Sequence, residues 1–187
     1  MNPQLIFWIV FIAMLFIVIY LNLKNNMLKD TSTANVRPYS FARVQLMWWT
    51  VIILTSFISI LIFKGIIPAF DSSTIILLGI SSATLATGSV IDLSDQKNPA
   101  IVRSQNQNSE NFFLDILSDS NGVSIHRFQA FIFNFVFGIW FICTVLYYLG
   151  NFPGNVNNII PVISSNNLIL LGLSSGTYAA LKTTENK

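Results

Sequence analysis

Residues 1–23 form an unbroken stretch without a charged side chain, which ends at Lys24. A helix of about 20 apolar residues, rising 1.5 Å per residue, matches the ~30 Å hydrocarbon core of a bilayer. No lysine or arginine precedes the stretch and no small-residue cleavage site follows it, which disfavours a cleaved signal peptide. We therefore expect a retained transmembrane anchor helix at residues 1–23.

Four further apolar stretches predict transmembrane helices, at residues 44–63, 74–91, 128–149 and 168–181. The last is short, because its residues span only about 21 Å as a helix. The composition agrees with a membrane protein, since 53% of the residues are hydrophobic, 10% are charged and the mean hydropathy is +0.63. The sequence predicts an all-α integral membrane fold with five transmembrane helices.

The basic residues are unevenly distributed between the two sides of the five predicted helices. Nine of the ten lysines and arginines fall on one side, and Lys64 alone falls on the other. Short loops rich in lysine and arginine stay in the cytoplasm. We therefore expect the amino terminus outside, the carboxyl terminus in the cytoplasm, and residues 24–43 and 92–127 on the cytoplasmic side.

Two sequence blocks occur twice in the same order, which indicates an internal duplication. The pattern S-x-x-R-x-Q begins at Ser40 and again at Ser124, 84 positions later, and residues 77–84 match residues 170–177 at an offset of 93. Each two-helix unit enters the membrane from the cytoplasm and returns to it, so the two units have the same orientation. The sequence thus predicts one anchor helix followed by two tandem parallel repeats.

The duplication divides the chain into five segments. They are an anchor helix, a cytoplasmic linker, a first repeat, a cytoplasmic loop, and a second repeat with its tail: residues 1–23, 24–39, 40–92, 93–123 and 124–187. Within the loop, residues 109–117 predict a short amphipathic helix. We expect that helix either to lie at the membrane surface or to dock a cytoplasmic partner.

The S-x-x-R-x-Q entry, the L-x-G-[IL]-S-S helix and the N-G-V-S-x-H-R-F-Q element at residues 121–129 resemble a family of bacterial integral membrane proteins of uncharacterised function. The resemblance covers about residues 36–185. It implies the predicted topology and a bacterial inner membrane, and it supplies no activity, ligand or catalytic residue. The asparagine-rich segment 151–167 departs from the family pattern.

Four charged residues are candidates for ion pairs or a gate at the cytoplasmic ends of the helices. Each S-x-x-R-x-Q block places an arginine in the first helical turn, where the helix dipole disfavours a cation. The offset of 93 also relates two acidic residues that follow the second helix of each unit. Either the arginines reach lipid phosphates, or they pair with these acids within or between units or subunits. The four residues are Arg43, Asp92, Arg127 and Glu185.

Uncharged polar residues inside the predicted helices are candidates for interhelical contacts or for a pore lining. An amide or hydroxyl that faces lipid is costly, so we expect these side chains to face protein or water. Interhelical contact is favoured for the glutamines, and close helix packing is favoured for the small residues. The set comprises Gln45, Gln129, Ser81, Ser82, Thr84, Ser174, Ser175 and Thr177.

Several classes of function are disfavoured by composition. One cysteine and one histidine do not supply a Cys/His zinc site, and no cofactor or metal site is expected. The net charge of +2 gives no basic field for nucleic acid. No nucleophile or phosphate-binding motif occurs, so we interpret the chain as a non-enzyme.

Two hypotheses about function remain open. The first is a homo-oligomeric channel or pore in the lipid bilayer, with the small, polar third and fifth helices toward its axis. The alternative is a non-conducting membrane scaffold that recruits a cytoplasmic protein partner through residues 92–127. The first rests on the parallel repeat and the polar, uncharged helices, and the second on the cytoplasmic position of almost all hydrophilic sequence.

Overall fold

A computed structural model describes residues 2–98, 100–101 and 103–185, and it is 71% helix. Its six α-helices are α1 Pro3–Asn25, α2 Phe41–Lys64, α3 Ser72–Lys97, α4 Phe112–Leu117, α5 Ile125–Gly150 and α6 Ser165–Lys182. Short 3-10 turns cover Ser104–Asn106 and Val156–Asn158. The strands β1 Ser118–Asp119 and β2 Gly122–Val123 pair as an antiparallel hairpin between α4 and α5.

Four helices, α1, α2, α3 and α5, are long and apolar enough to cross a membrane within the described residues. This confirms the prediction of an all-helical protein with several helices that could span a membrane. The helix α6 lies outside that set of four. Its asparagines Asn166 and Asn167 and its terminal Lys182 lower the hydropathy of a helix of only 18 residues.

The helices α2, α3, α5 and α6 pack into one bundle in which α3 and α6 run parallel, and α1 packs against α2 and α5. The helix α6 runs beside α3 over most of its length. At one end the Ile163 backbone N–H donates to Ser73 Oγ at 3.0 Å, and at the other Lys182 Nζ lies 3.0 Å from Asp92 Oδ2. Residues 26–40 and 103–124 cover this second end, and we name them the polar cap.

The bundle interior is filled by aromatic and branched side chains. Trp49, Phe7, Phe141, Leu77 and Leu171 are all buried in one apolar cluster. Burial on this scale between closely packed helices holds the bundle together through dispersion contacts.

A glycine makes room for the indole that joins α2 to α5. A Cβ atom at Gly138 would lie 2.3 Å from Trp48 Nε1, which is closer than side chains approach. The absence of a Cβ therefore allows the two helices to approach, as small residues do in other membrane bundles.

The end of the bundle opposite the cap is closed by the long asparagine-rich loop. Ala69 donates its backbone N–H to Asn157 Oδ1 at 2.9 Å, and Ile159 and Ile160 are buried beneath the loop. Asp71 caps α3 by accepting from the Ser73 backbone N–H at 2.8 Å. Hydrogen bonds from the hydroxyl and backbone of Ser73 hold the pKa of Asp71 below its ordinary value.

The short helix of the cap packs against the bundle through its apolar side. Asn111 caps it by accepting from the Leu114 backbone N–H at 2.9 Å, and Ile116 is fully buried in a cluster with Phe41 and Tyr178. Phe113, on the other side, stays exposed. The apolar side of α4 thus anchors the cap to the ends of α2, α5 and α6.

Candidate functional site in the polar cap

The predicted polar side chains inside the bundle make two kinds of hydrogen bond. Gln45 Nε2 donates to Ser175 Oγ at 2.9 Å, a buried contact that joins α2 to α6. Ser81, Thr84 and Ser174 are buried as well, but their hydroxyls donate to carbonyl oxygens of their own helices. Their hydrogen-bonding needs are met without water, so these three side chains serve helix packing.

Three other residues of the predicted set lie on outward faces. Gln129, Ser82 and Thr177 are exposed, so the interhelical contact favoured for Gln129 is not formed among the described residues. Gln129 is exposed because the buried face of α5 is rotated by one residue from the face that the sequence match predicts. Residues that are buried in α2 correspond to residues buried in α5 at an offset of 85, not the 84 of the sequence match: Ala42 with Arg127, Gln45 with Ala130, and Trp49 with Asn134.

The same shift of one residue occurs in the second helix of each pair. Residues buried in α3 correspond to residues buried in α6 at an offset of 94, whereas the sequences match at 93: Leu77 with Leu171, Ser81 with Ser175, Thr84 with Tyr178, and Gly88 with Lys182. One residue corresponds to a rotation of about 100° around a helix axis. Both helices of the second pair therefore bury a face that is rotated relative to the sequence alignment.

An asparagine within α5 forms a polar contact that the sequence analysis missed. Trp49 Nε1 donates to Asn134 Oδ1 at 2.7 Å, and Trp48 Nε1 donates to the Asn134 carbonyl oxygen at 3.0 Å. Asn134 Nδ2 donates in turn to the Ala130 carbonyl oxygen at 2.8 Å. A lone amide inside a phenylalanine-rich helix was the available indication, since such a residue needs a partner in lipid.

Asp92 is the centre of a buried charged cluster below the cap. Its Oδ2 lies 3.0 Å from Lys182 Nζ, and its Oδ1 lies 3.3 Å from Arg103 Nη2. All three side chains are at most 8% exposed. Neither Lys182 nor Arg103 was identified from the sequence, where both counted only toward the positive side of the membrane.

Arg43 does not pair directly with Asp92. Its Nη1 donates to the Met27 carbonyl oxygen at 3.3 Å, and Arg43 and Asp92 only border the same cavity of about 10 Å³. Two facts explain this. Lys182 and Arg103 already occupy the Asp92 carboxylate, and Arg43 lies one residue away from the buried face of α2.

Arg127 and Glu185 form a direct ion pair at the end of α5. Arg127 Nη2 donates to Glu185 Oε2 at 2.6 Å, and the guanidinium lies 5.2 Å from the centre of the Tyr178 ring. The Arg127 side chain is 7% exposed, and within the described chain its Nε has no hydrogen-bond acceptor. A buried donor without an acceptor is costly, so this N–H is a point where a ligand gains a contact.

A cleft with a volume of about 360 Å³ opens between the cap segments and the ends of α5 and α6. Its walls carry five of the eight acidic residues of the chain and one basic residue, Arg127. The charge of the lining is therefore strongly negative. The five acidic residues are Asp30, Glu110, Asp115, Asp119 and Glu185.

The carboxylates of the cleft differ in the hydrogen bonds that they accept. Asp115 accepts from the Tyr39 backbone N–H and the Ser109 hydroxyl, so it fixes the cap segments to each other. Asp119 Oδ1 accepts from the Asn121 backbone N–H in the hairpin turn. Within the described chain, the carboxylates of Asp30 and Glu110 accept no hydrogen bond, and the Asp30 carboxylate attracts the Lys182 ammonium.

The acidic residues of the cleft are not arranged as a metal site. Across the described ranges, no three or more histidine, cysteine, aspartate or glutamate residues are grouped so that they could hold a metal ion. No protein-family model, curated protein or solved structure matches the chain. The resemblance to a bacterial membrane family therefore stays a prediction.

Proposed function

We propose that the protein is a multi-pass scaffold of the bacterial inner membrane, without enzymatic activity, that docks a soluble cytoplasmic protein on its polar cap. Eight basic residues of the described chain lie at the cap end, and Lys64 lies at the opposite end. This asymmetry supports a cytoplasmic cap. The family resemblance supports the bacterial membrane.

The arrangement of α6 supports a fifth crossing. The helix α6 runs beside α3 from the level of Ser73 to the level of Asp92. Because α3 is itself long and apolar enough to cross a membrane, its neighbour α6 covers the same depth. Its polar side chains Ser174 and Ser175 are buried in the bundle, so they do not face lipid. A bundle position explains how a helix of modest hydropathy is accommodated at membrane depth.

The helix starts and the shared shift in burial support the proposed duplication. Both α2 and α5 begin directly after the serine of an S-x-x-R-x-Q block, at Phe41 and Ile125. Both helices of the second pair then differ from the first pair by the same one-residue rotation.

The acidic cleft is the observation that carries the docking function. Its volume lies within the ~300–1,000 Å³ range of binding pockets. It is built by four separate chain segments held by side-chain hydrogen bonds, and it lies on the side of the protein that we assign to the cytoplasm. By contrast, Ser81 and Ser174, candidates for helix packing or for a pore lining, donate to their own helices.

A second candidate is a homo-oligomeric pore formed between subunits. Its support is the outward face of α3, where small and hydroxyl side chains are exposed: Gly79, Ser82, Ala83, Ala86 and Thr87. Small residues allow a second copy to approach closely in lipid. In such an assembly Ser82 and Thr87 line the gap between subunits.

Photo-crosslinking in the native cell tests the scaffold. A photoreactive side chain replaces Glu110 in the cleft or, as the matched control, the exposed Asn158 at the opposite end. We expect one soluble protein to be joined at position 110 and not at position 158, and the adduct to weaken when Asp119→Asn is added. Equal adducts at both positions, or none, overturn the docking function.

Ion flux from liposomes that contain the purified protein tests the pore. The scaffold predicts flux no greater than that of empty liposomes. Flux that Ser82→Leu reduces, and that the neighbouring lipid-facing change Ile76→Leu leaves unchanged, would instead establish a conduit along α3.

A further inference from the structure

The acidic cleft of the polar cap has more negative than positive charge in its lining, and Lys182, which lies outside the lining, attracts Asp30. Two of its carboxylates, Asp30 and Glu110, accept no hydrogen bond within the described chain, and there Asp119 accepts only from the Asn121 backbone N–H. The single cation of the lining, Arg127, is already paired with Glu185. Like charges that face one open volume repel each other, and a cationic ligand removes that repulsion.

The wall of the same cleft also offers a donor without an acceptor. Arg127 is more than nine-tenths buried, its Nη2 is used by Glu185, and its Nε has no acceptor in the part of the chain that the structure describes. A ligand that fits the cleft therefore needs both a cation for the carboxylates and an oxygen acceptor for this N–H.

We infer that the cleft binds an arginine- or lysine-containing peptide segment of the soluble partner, and this inference rests on the proposed docking function. The cationic side chain lies among Asp30, Glu110 and Asp119, and a backbone carbonyl oxygen of the segment accepts from Arg127 Nε. Such a peptide supplies the two groups a few atoms apart. The cleft volume of about 360 Å³ admits a short segment rather than a folded domain.

Other ligands meet only one of the two requirements. A polyamine matches the carboxylates but brings no acceptor for Arg127 Nε. A phosphate, free or on a lipid headgroup, matches Arg127 but meets the negative charge of Asp30, Glu110 and Asp119. The peptide is therefore the class that the charges and the open donor together favour.

Fluorescence anisotropy with the full chain in nanodiscs of neutral phosphatidylcholine tests the inference. The probe is a short fluorescent peptide of alternating arginine and glycine with an amidated end. We expect saturable binding that weakens as salt is raised, because exposed charge pairs are screened. The matched peptide with glutamate in place of arginine is expected not to bind.

Variants locate the binding in the cleft. The double change Glu110→Gln and Asp119→Asn removes two negative charges and keeps an Oδ1 acceptor for Asn121, so we expect peptide binding to weaken about tenfold. The control Asp71→Asn changes the charge in the same way at the opposite end and is expected to leave binding unchanged. Equal affinity in both variants overturns the inference.

Two further binding measurements identify the class of ligand. Spermidine is expected to compete at least tenfold more weakly than the peptide, and equal affinity would mean a polyamine site instead. Arg127→Lys keeps the charge opposite Glu185 but removes Nε, and it is expected to weaken the peptide several-fold with an unchanged melting temperature. Unchanged peptide affinity in this variant overturns the carbonyl contact.

The result is separable from the docking function. If the arginine peptide fails to bind while crosslinks at position 110 still capture a soluble protein, the ligand class is wrong and the scaffold stands. If both fail, both proposals fall.

Discussion

Asp92 on α3 and Lys182 on α6 lie 90 positions apart in the sequence, and their charged atoms meet at 3.0 Å in a buried site. Both side chains are buried near the cap. Arg103 joins the pair from the cap itself. The contact thus connects the two second helices of the proposed repeat to the segment that covers them.

Removing the carboxylate from this cluster is expected to be strongly destabilising. Asp92→Ala leaves Lys182 and Arg103 buried without their counter-charge, and the loss of one partner of a buried pair costs about 3–5 kcal/mol. Thermal unfolding in detergent, followed by tryptophan fluorescence, measures the change in melting temperature.

The exposed Lys97 provides the comparison for that change. Lys97→Met removes a charge near the same end of α3 and is expected to alter the free energy of unfolding by less than about 0.5 kcal/mol. Similar melting temperatures for Asp92→Ala and Lys97→Met would contradict a structural role for the cluster.

The hydrogen bond between Gln45 and Ser175 is expected to contribute modestly to stability. Interhelical hydrogen bonds in membrane proteins average about 0.6 kcal/mol. Gln45→Leu and Ser175→Ala are each expected to lower the melting temperature slightly. The double variant should lose less than the sum, and a double-mutant cycle by thermal unfolding checks this coupling. Strict additivity would mean that the two side chains do not interact.

A methyl group at Gly138 is expected to separate α2 from α5. Gly138→Ala places a Cβ at 2.3 Å from Trp48 Nε1, and overpacking of this kind costs about 1–3 kcal/mol. The matched change Gly176→Ala adds the same atom where no neighbour lies within 4 Å. We expect it to be neutral or stabilising by up to about 1 kcal/mol, because alanine favours helix. Equal unfolding temperatures for the two variants would refute the close approach.

The proposed fifth crossing makes a direct topological prediction. In a Cys143→Ser background, single cysteines are introduced at the exposed positions Gln107, Asn158 and Thr184. A membrane-impermeant maleimide added to intact cells is expected to label position 158 and to spare positions 107 and 184. Labelling of 184 together with 158 would mean that α6 does not cross.

The positions of the long helices follow from the sequence because hydrophobic length and charge suffice to define them. The predicted stretch 44–63 lies within α2, and 74–91 lies within α3, which extends to Lys97. Here the polar residues from Asp92 onward continue the helix because Lys182 and Arg103 neutralise the buried carboxylate. Hydropathy alone does not detect such a partner.

The orientation of each helix about its axis was harder to predict. The repeat aligned Gln129 with Gln45, yet α5 buries Ala130 and Asn134 and leaves Gln129 exposed. A sequence match reports common ancestry of positions, whereas the buried face depends on which neighbours surround the helix. The anchor α1 packs mainly on α2 rather than on α5, so the two units have different surroundings.

The sequence patterns did not predict the cleft, because its walls come from segments that are distant along the chain. Asp30 and Glu185 are far apart along the chain, and the hairpin and α4 lie between them in sequence. Residues 92–127 were predicted as a docking loop from their polarity alone. Residues 30–39 also form part of the cleft wall, because Asp115 accepts a hydrogen bond from the Tyr39 N–H, and this contact is visible only in the folded structure.

The long-range contacts of α6 also impose an order on folding. Ser175, Lys182 and Glu185 are the partners of Gln45, Asp92 and Arg127, and all three are synthesised after the helices that need them. Until α6 packs, the earlier helices hold an unpaired amide, a carboxylate that lacks one of its two cations, and an uncompensated guanidinium. The docking of this one helix therefore completes polar contacts on three helices that precede it in the chain.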